Sequence, residues 1–183
     1  MEIIPDTKDW TWVLERPCPE CGLDTRSITR ESMPERIRGC ADDWVAVVAR
    51  SHDVRARPAP GVWSPLEYAC HVRDVFRLFD ERLRRMLVED DPLYPNWDQD
   101  AAARSERYGE QDPATVSVEL REAAERLARD FERVGGDQWG RTGRRSDGAQ
   151  FTVETFGRYL IHDPLHHLHD VIGRRYDEGN APQ

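Results

Sequence analysis

The segment Asp90 to Gln111, DDPLYPNWDQDAAARSERYGEQ, separates two helical patterns and decides how the helices on either side can be stacked. A link of this length can run back along a bundle and start the next helix at the opposite end, leaving its two neighbours parallel, where a short turn would make them antiparallel. Before it, WSPLE offers Ser64 as an N-cap, Pro65 in the first helical position and Glu67 to complete a capping box. The apolar residues Val72, Phe76, Phe79, Leu83 and Met86 then follow at helical spacing. After it, Asp112 caps a second helical pattern with Pro113 behind it, carrying Leu120, Ala124, Leu127, Phe131 and Val134 up to the stop at Gly135 and Gly136.

Two further helices complete the set. The first helix begins at SMPE, where Ser32 and Glu35 can form a capping box, places Ile37, Cys40, Trp44, Val47 and Val48 on one face, and stops near Arg55 before a short Pro-rich link. The last runs from about Thr152 to Gly173 with Phe156, Leu160, Ile161, Leu165, Leu168 and Ile172 as its apolar content. The Gly- and Arg-rich link from Gly135 to Gln150 can hold a small hairpin, and strand signals are otherwise nearly absent. The expected fold is all-α, a four-helix bundle with up-down-down-up topology and its long crossover between helices two and three. We expect residues 1–31 to be an N-terminal extension, 32–173 the bundle and 174–183 a C-terminal tail.

Composition bounds the function. With 26 basic against 35 acidic residues the net charge is −9, a poor footprint for nucleic acid or an anionic membrane. No apolar run reaches the roughly 18 to 20 residues of a membrane span, and MEIIPDTKDW lacks the pattern of a signal peptide, so a cytoplasmic location is expected. Of four cysteines only Cys18 and Cys21, in PCPECG, form a motif. This is half of a zinc knuckle or a redox pair, but no second Cys pair or Cys/His pair at ligand spacing follows and a structural zinc wants four ligands, so it reads as a turn with two reduced thiols.

The segment LIHDPLHHLHD, Leu160 to Asp170, holds four of the six histidines. Residues four apart share a helix face, so His162 and His166 can present two imidazoles to one point. A third ligand must come from elsewhere. His71 lies roughly 10 Å from the start of its helix, and His162 and His166 roughly 10 to 16 Å from the end of theirs, at about 1.5 Å per residue, so the crossover topology brings all three to one level. A three-histidine site with open positions suits zinc, nickel or another late divalent ion. A polar helix face is the simpler account of an isolated H-x-x-x-H, and the height of His71 is what argues against it here.

Trp63, Ser64, Glu67 and His71, in the pattern W-S-x-x-E-x-x-x-H, followed about ninety residues later by H-x-x-x-H, resemble the DinB/YfiT-like superfamily over about Met33 to Gly173. The resemblance implies the up-down-down-up bundle, a divalent metal held by His71, His162 and His166, and an enzyme of thiol chemistry. The expected activity is that of an S-transferase or isomerase using a low-molecular-weight thiol, mycothiol ahead of bacillithiol. The partners implied are a small-molecule thiol and an electrophile, with no nucleic acid and no membrane, and a homodimer is allowed. The alternative is a non-catalytic metal-binding or stress-associated bundle. Pro164, between the paired histidines, puts the register in question. The mycothiol-dependent maleylpyruvate isomerases resemble a second alignment, with a carboxylate and a histidine four apart, which selects Asp163 and His167 in place of His162 and His166. Asp163 and Asp170 can otherwise orient ligand imidazoles. Arg141, Arg144 and Arg145 are candidates for an acidic substrate group, and Tyr94, Trp97 and Tyr108 for a lid.

Overall fold

A computed structural model describes residues 9–176. Its frame is four long helices, α1 (Met33–Arg50), α2 (Pro65–Val88), α4 (Pro113–Glu132) and α5 (Val153–Ile172), with a short α3 (Gln99–Ser105) inside the crossover. Every residue that the sequence places on the inner faces of α1, α2 and α4 is buried, and on α5 only Ile172 is exposed.

Contacts between named pairs fix the direction of each helix. Arg73 bonds Glu119 at 2.8 Å and Arg84 bonds Asp130 at 2.6 Å, so α2 and α4 advance together and are parallel. Arg38 bonds Glu125 while Asp42 bonds Arg121, so α1 and α4 are antiparallel. Gly157 packs beside Met33, and the Trp44 indole Nε1 donates to the Pro164 carbonyl at 3.0 Å, which makes α1 and α5 parallel. His71 meets Asp163 and Phe79 stacks on Phe156, so α2 and α5 run antiparallel. The order is up, down, down, up.

The helix starts behave as side-chain capping predicts, with one exception. Ser64 accepts from the Glu67 amide while the Glu67 carboxylate accepts from the Ser64 amide, closing the box at the head of α2. Asp112 caps α4 through the Thr115 amide, and Thr152 caps α5 with Thr155 as its partner. The expected box at Ser32 does not form. Ser32 already has helical backbone angles, and its hydroxyl is engaged with the Thr29 amide and carbonyl one turn back. α1 also ends at Arg50, earlier than its pattern suggests: Ser51 turns to extended backbone angles, and its amide and hydroxyl both donate to the Val47 carbonyl.

The third link holds the hairpin, β2 (Thr142–Arg145) with β3 (Gln150–Thr152), and β1 (Leu93–Tyr94) of the crossover joins β2 in parallel. Gly143 is required there, because a Cβ would come within 2.8 Å of Met86 Cγ. This sheet sits against the far end of α2, about 22 Å along the axis from His71. The N-terminal segment contributes Val13, Cys18, Cys21, Leu23 and Ile28, all buried, and lies against α5. No helix among the described residues is long and apolar enough to cross a membrane.

Candidate metal centre

Successive residues on a helix are turned by about 100°, so the pairs His162/His166 and Asp163/His167 occupy adjoining faces of α5. Helical structure continues through Pro164, which has no amide to donate to the Leu160 carbonyl, and the Pro164 carbonyl itself accepts from the Trp44 indole. The two faces gather different partners. Cys18, Cys21, His162 and His166 place one ligand atom each within 4.8 Å of one another, and so, separately, do His71, Asp163 and His167.

The first group is closed. Cys18 and Cys21 are fully buried, and His162 and His166 are 3% and 6% exposed. Cys18 Sγ lies 3.7 Å from His166 Nδ1 and Cys21 Sγ lies 3.8 Å from His162 Nε2. Trp10 covers both imidazoles, its ring 5.4 Å from that of His162 and 4.8 Å from that of His166. Burial pushes the Cys21 thiol up to about 12, and burial, helped by the neighbouring His166, brings His162 down to about 4.

The second group is more open. His71 is 1% exposed, but the Asp163 side chain is 35% exposed and that of His167 17%. His71 Nε2 is 3.2 Å from Asp163 Oδ2, and His167 Nε2 is 3.7 Å from Asp163 Oδ1. His167 Nδ1 donates to Asp170 Oδ2 at 3.0 Å, which turns its other nitrogen toward Asp163. Burial opposes ionisation of Asp163, but the flanking His167 and His71 imidazoles override it and hold the carboxyl well below the usual carboxylate range. Trp97 stacks on His71 with ring centroids 5.4 Å apart and planes at 10°, and Trp63 packs at 5.1 Å.

His71, His162 and His166 are thus all in metal-ligating company, but His71 is grouped with Asp163 and His167, while His162 and His166 are grouped with the two cysteines. The height argument holds to the extent that His71 meets α5 at residue 163. The cysteine contribution was hidden in spacing: C-x-x-C and H-x-x-x-H are the two halves of a Cys2His2 pattern, here more than 140 residues apart. His52 lies exposed beyond α1, and His169 Nδ1 donates to the Arg174 carbonyl at 3.1 Å.

The weaker candidates are mostly structural. Arg141 donates to the Met86 and Glu89 carbonyls and closes the end of α2. Arg144 pairs with Asp91, and Arg145 with Asp147 and Tyr159. Tyr108 is fully buried with its hydroxyl on Asp74 and Tyr94 is buried beside Phe156. Of the three aromatic residues only Trp97 reaches the centre.

The model of the DinB superfamily matches residues 50–171, well over half of the sequence. The chain belongs to that superfamily. Among solved structures it is similar to YfiT from Bacillus subtilis, described as a probable metal-dependent hydrolase with an unusual four-helix bundle topology, at 19% identity and a TM-score of 0.70. The likeness covers 78% of this chain and 86% of YfiT, and at that identity it speaks to the fold. No curated protein matches the chain.

Proposed function

We propose that the protein is a divalent-metal-dependent enzyme of thiol chemistry, with its reactive centre at His71, Asp163 and His167. The observation that carries this reading is the convergence of two imidazoles and one carboxylate on a partly exposed point between α2 and α5. Two His nitrogens and one carboxylate oxygen form a donor set for a late divalent ion with positions left for exchangeable ligands. The 3.2 Å separation of His71 Nε2 and Asp163 Oδ2 fits two neighbouring ligands each about 2.1 Å from one ion, whose edge at a right angle is about 3.0 Å. Bound there, zinc or nickel would lower the pKa of a small thiol and favour the thiolate.

The chain's own residues do the rest. Asp163 is held as a carboxylate and Asp170 fixes the tautomer of His167, so those two donor atoms are set before anything binds, and His71 Nε2, which donates to Asp163, would give up its proton to ligate. Trp63 and Trp97 enclose His71 and keep water from that side. The reaction we favour joins the sulfur of a mycothiol-type thiol to an electrophilic carbon; the thiol proton leaves to solvent and the carbon releases its leaving group or opens a double bond. The test is incubation of zinc-loaded protein with mycothiol and model electrophiles. Conjugate or isomerised product above that made by free zinc, lost in His167→Ala and Asp163→Asn, is the expected result. Equal rates with protein and free zinc would end the transferase reading.

Hydrolysis is a second reading, favoured by the description of YfiT as a probable metal-dependent hydrolase. Turnover of ester or amide substrates with no thiol added would bring it forward. Zinc held at His71, Asp163 and His167 without turnover of either kind would favour a non-catalytic metal-binding protein.

A further inference from the structure

We infer that Cys18, Cys21, His162 and His166 form a second, structural zinc site, distinct from the proposed reactive centre, which fastens the N-terminal segment to α5. The distances are those of a tetrahedral shell. With zinc about 2.3 Å from sulfur and about 2.05 Å from nitrogen, adjacent sulfur and nitrogen ligands are about 3.6 Å apart, and the observed separations are 3.7 and 3.8 Å. Four protein ligands complete the coordination of a structural zinc and leave no position for a substrate. As the ion binds, each thiol releases its proton to solvent, and two thiolates with two neutral imidazoles cancel its charge. A neutral assembly is what so buried a place can hold without a counter-ion.

The surrounding chain is built to present these atoms. In CPECG, the Gly22 amide donates to the Cys18 carbonyl at 2.8 Å and the Cys18 amide to the Leu23 carbonyl at 2.9 Å, forming a tight knuckle. Gly22 has φ of 80°, a left-handed angle that favours glycine. The knuckle is clasped from the far end of the chain, where the Tyr176 amide donates to the Cys21 carbonyl at 2.7 Å and Arg175 donates to the Glu20 carbonyl at 2.6 Å. His166 keeps its Nε2 on the side away from Cys18, 3.5 Å from Glu20 and 3.7 Å from Asp170, which supply the outer carboxylates that ligating imidazoles usually have. Softness selects the metal: two thiolates with two imidazoles in tetrahedral array suit zinc, whereas the oxygen- and nitrogen-only group at His71 suits a broader range of ions.

The test is elemental analysis of full-length protein purified without chelator, followed by replacement of the bound ion with cobalt. One zinc per chain that survives mild chelation, and a sulfur-to-cobalt charge-transfer band after exchange, are expected. Cys18→Ala and Cys21→Ala should each remove the band and that zinc equivalent; His71→Ala and His167→Ala should leave both intact, which separates this site from the reactive centre. Should the cysteine variants fail to fold, the wild type still decides, because titrating its thiols with a mercurial must release zinc in step with the loss of two thiols. A Cys18–Cys21 disulfide found by mass spectrometry in freshly purified protein, or cobalt bound without a thiolate band, would overturn the inference.

Discussion

The two faces of α5 are one residue apart in sequence and opposite in character. On one, His162 and His166 meet two buried thiols under Trp10. On the other, Asp163 and His167 meet His71 with a third of the Asp163 side chain in solvent. The same i, i+4 spacing therefore serves a closed and an open arrangement, and what distinguishes them is the partner element. The N-terminal segment brings sulfur and excludes water, whereas α2 brings one imidazole and leaves room. A histidine pair by itself says little about chemistry; its cover and its remaining ligands decide.

The largest expected effect tests the closed face. With free zinc about a thousandfold above its dissociation constant, binding should stabilise the fold by about 4 kcal/mol, so stripping the ion should lower the thermal midpoint by about 8 to 16 °C for a chain of this size. Superimposable melting curves with excess chelator and with zinc would erase the distinction between the faces. Next in size is the ligand split. His71→Ala, His167→Ala and Asp163→Asn should each weaken the labile, oxygen-and-nitrogen-bound ion by at least about 10-fold, the least that losing even an outer partner of a ligand costs. His162→Ala should leave that ion bound. The reverse pattern, measured by isothermal titration, would move the reactive centre to His71, His162 and His166.

A smaller effect concerns cover alone. Replacing Trp10 by Ala removes the aromatic lid over His162 and His166 without touching a ligand, so zinc should exchange faster while the cobalt band persists. Stopped-flow transfer of zinc to a chromogenic chelator reads the rate, and an unchanged rate would show that Trp10 does not gate the site. The smallest sharpens the open face. Ser64→Ala opens the capping box at the head of the helix that carries His71 and should cost about 1 kcal/mol in urea unfolding. Its metal-bound cobalt spectrum should match the wild type, since the box's partners, Ser64, Glu67 and Arg57, include none of the cobalt ligands.

Much of the fold was legible because it depends on local chemistry. Ser64 with Glu67, Asp112 with Thr115 and the inward residues of each helix are properties of short windows, and the length of the Asp90–Gln111 link chose between topologies. Ser32 was misread because a preceding residue, Thr29, competes for its hydroxyl. The site was harder. That His71 faces α5 followed from helix heights, but which of two adjoining pairs it meets depends on a rotation of about 100°, and height carries no information about rotation. The role of Cys18 and Cys21 was hidden for a different reason: a search for four nearby ligands passes over a pair whose complement lies at the other end of the chain.

The clasp of Tyr176 and Arg175 on the knuckle has a consequence for how the molecule is made. Cys18 and His166 are 148 positions apart, so the ion's shell cannot be completed on a ribosome until α5 has emerged. The knuckle must wait, unfastened, while the helices between condense. Once closed by metal, a loop of that span restricts the unfolded chain by about 5 kcal/mol if the ion is as permanent as a covalent tie. Zinc supply during synthesis would then set not the rate at which the helices form but the fraction of chains that finish, and starved cells would accumulate a collapsed bundle with a loose Cys18–Cys21 knuckle, open to proteases there.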